Sequence, residues 1–158
     1  MTTLEVGALA PAFSLPNADG ELVSLSQLLD KAPNGVVVYF YPKAATPGCT
    51  KEACDFRDSS AAWAEAGYSV VGISPDKVEA LKRFATKQEL PFPLLSDADH
   101  QVMEAWGVWG EKKNYGRVSV GVRRSTFVIN PDATVALAKY NVKATGHVER
   151  LRKELGVS

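Results

Sequence analysis

The hydrophobic pattern of this chain alternates between short apolar runs and amphipathic segments. Residues 36–41 form a nearly continuous run of β-branched and aromatic side chains, which is typical of a central strand buried on both faces. Further strands are predicted at residues 13–15, 22–24, 68–74, 94–95, 126–129 and 135–140. Helices are predicted at residues 25–29, 50–66, 76–88, 100–106 and 146–155. This order predicts a mixed sheet with helices on both faces, preceded by an N-terminal β-hairpin.

Two segments carry more specific local signals. Asp76 and Glu79 have the spacing of a capping box at the start of the helix predicted for residues 76–88. Residues 107–121 contain four glycines and are predicted to form a long loop, with room for one strand inside it. Because no linker or repeat interrupts the pattern, we expect a single domain over residues 1–158.

Composition and charge narrow the possible partners. Eighteen basic side chains balance eighteen acidic ones, so the chain has no long-range field that would attract nucleic acid or an anionic membrane. The first residues show no basic segment followed by an apolar one, and the longest apolar run is far shorter than a membrane span. We therefore expect a cytoplasmic protein with no nucleic-acid partner and no membrane partner.

The only two cysteines, Cys49 and Cys54, lie five positions apart, just after the strand predicted for residues 36–41. The unpaired N–H groups and the dipole at a helix N-terminus favour a thiolate at Cys49. In a reducing cytosol such cysteines are catalytic, redox-sensing or metal-binding more often than structural. Two cysteines cannot complete a four-ligand zinc site, and His100 and His147 are distant in sequence. We expect no cofactor, and a bound metal only if the fold gathers these cysteines and histidines.

A specific motif surrounds the first cysteine. The octapeptide PKAATPGC contains Pro42, Thr46 and Cys49 in the pattern Pro-x-x-x-Thr-x-x-Cys. This pattern resembles the active-site signature of the peroxiredoxins. With its flanking residues and Cys54, it is similar to the bacterioferritin-comigratory-protein, or Q-type, subfamily. The likeness covers roughly residues 11–155 and includes the segments 90–97, 109–116 and 124–129.

The resemblance implies an α/β, thioredoxin-like fold with the N-terminal β-hairpin as an extension. It also implies an antioxidant enzyme, a thiol peroxidase that reduces hydrogen peroxide and organic hydroperoxides. In that family scheme Cys49 is the peroxidatic residue, and Cys54 resolves its sulfenic acid as an intramolecular disulfide. Thioredoxin or a similar dithiol reductant then recycles the enzyme, and the subfamily resemblance favours a monomer.

The chemistry of peroxide reduction suggests roles for the neighbouring residues. The Thr46 hydroxyl can turn toward the sulfur and the bound peroxide, and Pro42 can exclude water from one side of the site. Arg124 matches the arginine of the family, whose guanidinium would favour the thiolate and polarise the peroxide. Glu52 has two interpretations, as a carboxylate favoured by the helix dipole or as a residue that orients Arg124.

Arg123 competes with its neighbour Arg124 for the same role. On a strand, adjacent side chains point to opposite faces, so only one of the two arginines can reach the pocket. The resemblance of the string RSTF to the family favours Arg124 and leaves Arg123 as a solvated surface charge. The two histidines, His100 and His147, are predicted to lie at the surface or to cap helices.

Two other classes of protein remain to be weighed. A copper-delivery domain on the same fold would use two cysteines and a histidine as ligands, but no histidine lies near the cysteines in this sequence. A dithiol–disulfide oxidoreductase would have a Cys-x-x-Cys motif, which is absent from the sequence.

The spacing of the cysteines has a geometric consequence if both lie in one regular helix. Five residues then rotate by about 500° and rise by about 7.5 Å, which places the two Cα atoms about 8.6 Å apart. A disulfide spans at most roughly 6.8 Å between Cα atoms. The disulfide that the resemblance implies therefore requires local unwinding of about residues 50–57.

Overall fold

The computed structural model describes residues 3–114 and 116–157, apart from the side chains of 112–114. Tyr115, which belongs to one of the family-like segments, lies outside the described residues. The strands are β1 (Ser14–Pro16), β2 (Leu22–Ser24), β3 (Gly35–Phe40), β4 (Tyr68–Ser74), β5 (Leu94–Ser96), β6 (Trp109–Asn114), β7 (Arg117–Val122), β8 (Ser125–Ile129) and β9 (Val135–Lys139). The helices are α1 (Leu25–Asp30), α2 (Pro47–Asp58), α3 (Ser60–Glu65), α4 (Val78–Gln88), α5 (Gln101–Ala105) and α6 (His147–Leu155).

A five-stranded mixed sheet with the order β5-β4-β3-β8-β9 forms the centre of the fold. β3 runs parallel to β4 and antiparallel to β8, and every residue of β3 is buried. Alternate β3 side chains enter two separate cores: Val38 packs with Trp106 on one face, and Tyr39 packs with Phe56 on the other. The mixed sheet and the N-terminal hairpin β1–β2 are as predicted.

The prediction of one helix over residues 50–66 is wrong in two respects, the residue at which the helix begins and its continuity. α2 begins earlier, at Pro47, because proline lacks only an N–H that the first helical turn would leave unpaired anyway. The helix then breaks at Ser59, whose hydroxyl donates to the Asp55 carbonyl at 2.8 Å and accepts from Trp63 Nε1 at 3.0 Å. Both bonds therefore engage the Ser59 side chain at the junction of α2 and α3.

The long loop predicted for residues 107–121 is instead the hairpin β6–β7. Its register runs from Trp109 opposite Val122 to Asn114 opposite Arg117. Val118 and Val120 supply the β-branched alternation of β7, yet they are 56% and 64% exposed. Of the four glycines that suggested a loop, Gly110 and Gly121 lie within the paired strands, Gly116 lies at the turn between them, and Gly107 precedes β6.

The predicted capping box at the start of α4 is also wrong. α4 has Lys77 at its N-cap position, and no side chain caps it. The Asp76 carboxylate instead accepts hydrogen bonds from the Ala44 N–H at 2.7 Å and from the Ser74 hydroxyl at 2.8 Å. Because Ala44 lies in the loop after β3, Asp76 ties that loop to the end of β4.

In the part of the chain that the structure describes, no helix has both the length and the apolar character that crossing a membrane requires.

Candidate active site

Cys49 lies in the first turn of α2, where the chain leaves the central strand β3. Cys49 is only 1% exposed, and it packs in the core that contains Tyr39 and Phe56. Thr46 is the N-cap residue, and its carbonyl accepts the first helical hydrogen bond, from the Thr50 N–H at 2.9 Å. The helix start therefore presents its unpaired N–H groups beside a buried sulfur.

A largely buried arginine, whose side chain is 15% exposed, contacts this sulfur. Arg124, which directly precedes β8, donates from Nη2 to Cys49 Sγ at 3.2 Å. Its other terminal nitrogen, Nη1, donates to Glu52 Oε1 at 2.5 Å. Glu52 is fully buried, one turn further along α2. One guanidinium therefore bridges the thiol and the carboxylate of the same helix.

The ionisation of Glu52 and Arg124 reflects this burial. Burial raises the pKa of Glu52 to about 7, against the opposing attraction of Arg124. For Arg124, burial alone would lower the pKa, but Glu52 and Cys49 together hold it above its ordinary value. The guanidinium therefore remains charged, and it is the carboxylate that titrates near neutral pH.

The two neighbouring arginines diverge, although both lie in the two-residue connection between β7 and β8 and not within a strand as predicted. Arg123 donates from Nη2 to the Gly107 carbonyl at 2.5 Å, and its guanidinium lies 5.2 Å from the centre of the Tyr140 ring. The prediction that Arg123 is a solvated surface charge is wrong, because the residue is half-buried on the far side from Cys49. Arg124 alone of the pair contacts the thiol.

Thr46 and Pro42 lie in the loop between β3 and α2. The Thr46 hydroxyl donates to the Lys43 carbonyl at 2.8 Å, so its proton is engaged within the loop while its oxygen can still accept. Pro42 is half-buried at the bend that follows β3. Both residues thus lie on the short connection that leads into Cys49.

Sequence reasoning missed His147. The structure buries this residue at the start of α6, so its assignment to a surface or capping role is wrong. Its Nε2 lies 2.7 Å from the Thr126 hydroxyl and 3.9 Å from Glu52 Oε2. Burial, together with the nearby charges of Arg150 and Arg124, lowers the pKa of His147 to about 4. No sequence pattern links it to Glu52, because only the packing of α6 against α2 brings the two together.

His100 is placed differently from His147. It occupies the N-cap position of α5, but its side chain forms no capping hydrogen bond. Its ring instead stacks on Trp109, with 3.5 Å between the ring centres. Among the described residues, no group of three or more histidine, cysteine, aspartate or glutamate side chains is arranged to hold a metal ion.

Cys54 is a free thiol in the same continuous helix as Cys49. It is half-buried, and its Sγ donates to Gln88 Oε1 of α4 at 3.4 Å. The structure therefore holds the reduced state of both cysteines, each directed toward a different partner. Both cysteines lie in one helix, so a disulfide between them requires that helix to unwind locally.

Comparisons with known proteins agree with this geometry. Residues 6–138 match the model of the AhpC/TSA family. A Mycobacterium tuberculosis protein named as a peroxiredoxin is 56% identical over 99% of this chain and 98% of its own length. Peroxiredoxin Bcp of Escherichia coli is 48% identical over 93% of this chain and 92% of its own length.

A solved structure of the Xanthomonas campestris bacterioferritin comigratory protein, described in connection with alkyl peroxide reduction, superposes with a TM-score of 0.84 at 35% identity. That alignment covers 99% of this chain and 98% of the other. The chain belongs to the AhpC/TSA family, among the Bcp and peroxiredoxin Q proteins, and it is a thiol peroxidase. The predicted thioredoxin-like fold and peroxidase class are thereby confirmed.

Proposed function

We propose that Cys49 is the peroxidatic nucleophile of this enzyme. The observation that carries the proposal is the 3.2 Å contact between Cys49 Sγ and Arg124 Nη2. A guanidinium at this distance favours the thiolate, because it donates a charge-assisted hydrogen bond to the sulfur. Burial of the pair keeps water from weakening that attraction.

In the first step the Cys49 thiolate attacks one oxygen of the hydroperoxide. A sulfur–oxygen bond forms and the oxygen–oxygen bond breaks, which leaves Cys49 as a sulfenic acid. The second oxygen takes up a proton and leaves as water or an alcohol. Arg124 and the free N–H groups at the start of α2 stabilise the charge that develops on that oxygen.

Thr46 and Pro42 complete the proposed site. The Thr46 oxygen accepts a hydrogen bond from the protonated peroxide oxygen, since its own proton is engaged by the Lys43 carbonyl. Pro42 forms a wall of the loop that limits access of water. Glu52 acts as a positioning residue, because its contact with Nη1 directs Nη2 of Arg124 toward the sulfur.

Cys54 is the resolving residue in this proposal. Its thiolate attacks the sulfur of the Cys49 sulfenic acid, a sulfur–sulfur bond forms, and the hydroxyl group leaves with a proton as water. The helical spacing of the two residues requires α2 to unwind locally before this attack. Thioredoxin or a similar dithiol donor then reduces the disulfide by thiol exchange.

We propose hydrogen peroxide and organic hydroperoxides as substrates, in an antioxidant role. The chemistry of the site requires no group on the substrate other than the oxygen–oxygen bond. We also propose that the enzyme acts in the cytoplasm as a monomer, with residues 1–158 as one domain and with no metal, cofactor, membrane or nucleic-acid partner. Analytical ultracentrifugation of the reduced and oxidised protein tests the monomer.

A single titration tests the catalytic proposal. The reduced protein is mixed with one equivalent of hydrogen peroxide, and the thiols are counted and the intact mass measured with and without alkylation. We expect both thiols to disappear and the mass to fall by two hydrogens. Retention of both thiols would refute the proposal, and a disulfide-linked dimer would show that Cys54 resolves a partner chain instead.

A further inference from the structure

Gln88, the last residue of α4, contacts α2 at two points. Its side-chain oxygen accepts the hydrogen bond from Cys54 Sγ at 3.4 Å. Its backbone carbonyl accepts a second hydrogen bond, from Arg57 Nη1 at 2.8 Å. Cys54 and Arg57 are three residues apart on α2 and therefore share one face of that helix. We call these two contacts the Gln88 clamp.

The clamp is attached to a rigid part of the fold. α4 buries Leu81 and Phe84 in the same core as Cys49, so the helix is packed firmly against the core of the fold. It ends directly after Gln88, where Glu89 adopts a left-handed conformation and its N–H bonds back to the last turn. Gln88 is therefore held at a defined position while α2 changes shape.

The two cysteines of α2 are consequently held by different partners. Arg124 and Glu52 engage the turn that carries Cys49, whereas Gln88 engages the turn that carries Cys54. The thiol of Cys54 points at α4 and donates a hydrogen bond to the Gln88 side-chain oxygen. Before Cys54 can attack Cys49, this hydrogen bond must break and the thiol must lose its proton.

From this arrangement we propose that Gln88 is a positioning residue that controls how fast Cys54 is released for resolution. The inference rests on the proposed roles of Cys49 and Cys54. While the clamp is closed, the Cys49 sulfenic acid has no thiol partner. Opening it allows the sulfur–sulfur bond to form and water to leave.

The clamp also sets the sensitivity of the enzyme to excess peroxide. A sulfenic acid that waits can react with a second hydroperoxide, which transfers one oxygen to the sulfur and leaves as water or an alcohol. The product is a sulfinic acid, which Cys54 cannot resolve. A tighter clamp therefore diverts more enzyme to the sulfinic acid at a given peroxide concentration, and a looser one diverts less.

The test compares Gln88→Ala with the wild type in rapid-quench mass spectrometry. Oxidation of Cys49 should keep its second-order rate, because Gln88 does not contact Cys49 or Arg124. Disulfide formation should become about two- to tenfold faster, as expected for the loss of one ordinary hydrogen bond. At a fixed hydrogen peroxide concentration the ratio of sulfinic acid to disulfide should fall by the same factor.

Matched variants separate the clamp from a general loosening of α4. Lys87→Ala alters the exposed neighbouring residue in the same turn and should resolve at the wild-type rate. Gln88→Glu retains an acceptor oxygen and should restore slow resolution. Arg57→Ala removes the second contact and should also speed resolution, which provides an independent measurement if Gln88→Ala does not fold.

The outcomes distinguish the clamp from the catalytic proposal. Resolution at the wild-type rate in both Gln88→Ala and Arg57→Ala would overturn the clamp. So would an equal acceleration in Lys87→Ala, since that result would come from a weakened helix end. If Cys49 in the wild type were not oxidised at all, the proposed function itself would fail, and this would be visible in the first kinetic phase.

Discussion

Arg124 donates to the sulfur of Cys49 although 75 positions separate the two residues along the chain. The contact follows from sheet register, because antiparallel pairing sets Ser125 of β8 opposite Phe40 of β3. Arg124 therefore lies beside the end of β3, where the chain turns toward α2. Arg124 passes close to Gly48, where an added Cβ would come into van der Waals contact with Arg124 Nη2 at 3.4 Å.

Replacing each cysteine in turn should separate the two thiol roles. Cys49→Ser should abolish peroxidase turnover, because serine offers no thiolate. Cys54→Ser should still consume one equivalent of hydrogen peroxide and then stop as the sulfenic acid. Single-turnover peroxide consumption, read with a sulfenic-acid trap, makes the comparison. Near-normal turnover by Cys49→Ser would contradict the assignment.

Arg124→Ala should slow the reaction of Cys49 with peroxide by roughly ten- to a hundredfold. The estimate corresponds to the loss of one charge-assisted hydrogen bond of about 1.5–3 kcal/mol. Arg123→Ala is the matched control, because Arg123 donates its hydrogen bond to the Gly107 carbonyl on the side away from Cys49. Stopped-flow measurement of the second-order rate constant for the reaction with peroxide compares the two variants with the wild type. A larger effect of Arg123→Ala would move the role to that residue.

Glu52 and His147 should give opposite pH dependences of stability. The raised pKa of Glu52 means that the native state keeps a proton that the unfolded chain loses above pH 4.5, so this group destabilises the fold as the pH rises toward 7. The lowered pKa of His147 means that the unfolded chain takes up a proton first, so stability is lost as the pH falls from 6.5 toward 4. In the wild type the two effects partly cancel.

Single substitutions should reveal each effect. The free energy of unfolding of Glu52→Gln should rise with pH between 4.5 and 6.5 more steeply than that of the wild type. His147→Gln should show the reverse, a decline toward pH 7. Urea denaturation of the reduced proteins at several pH values measures both slopes. Identical slopes in the wild type and both variants would show that neither group titrates differently on folding.

Oxidation should remove hydrogen-exchange protection from part of α2. The amides between Cys49 and Cys54 should lose protection in the disulfide form, because the bridge cannot span a regular helix. Amide exchange across residues 49–58 in both redox states checks this. Unchanged protection alongside a confirmed internal disulfide would defeat the unwinding argument.

Much of the site could be predicted from short stretches of sequence. Pro42, Thr46 and Cys49 lie within one octapeptide, and the strand before them is a continuous apolar run, so local pattern was sufficient to place them at a helix start. The hairpin β6–β7 was missed for the opposite reason. Val118 and Val120 face solvent, and the glycines of the hairpin lie in or between paired strands, so the local pattern resembled a loop.

The sequence by itself determined the motif around Cys49 and most of the strands and helices, because each depends on neighbours along the chain. Only the tertiary structure decided which side chains surround the sulfur and hold its helix. Strand register brings Arg124 to Cys49. The packing of α6 brings His147 close to Glu52, and the packing of α4 brings Gln88 to Cys54. Such contacts depend on distance in space, and no residue type or spacing along the chain encodes that distance directly.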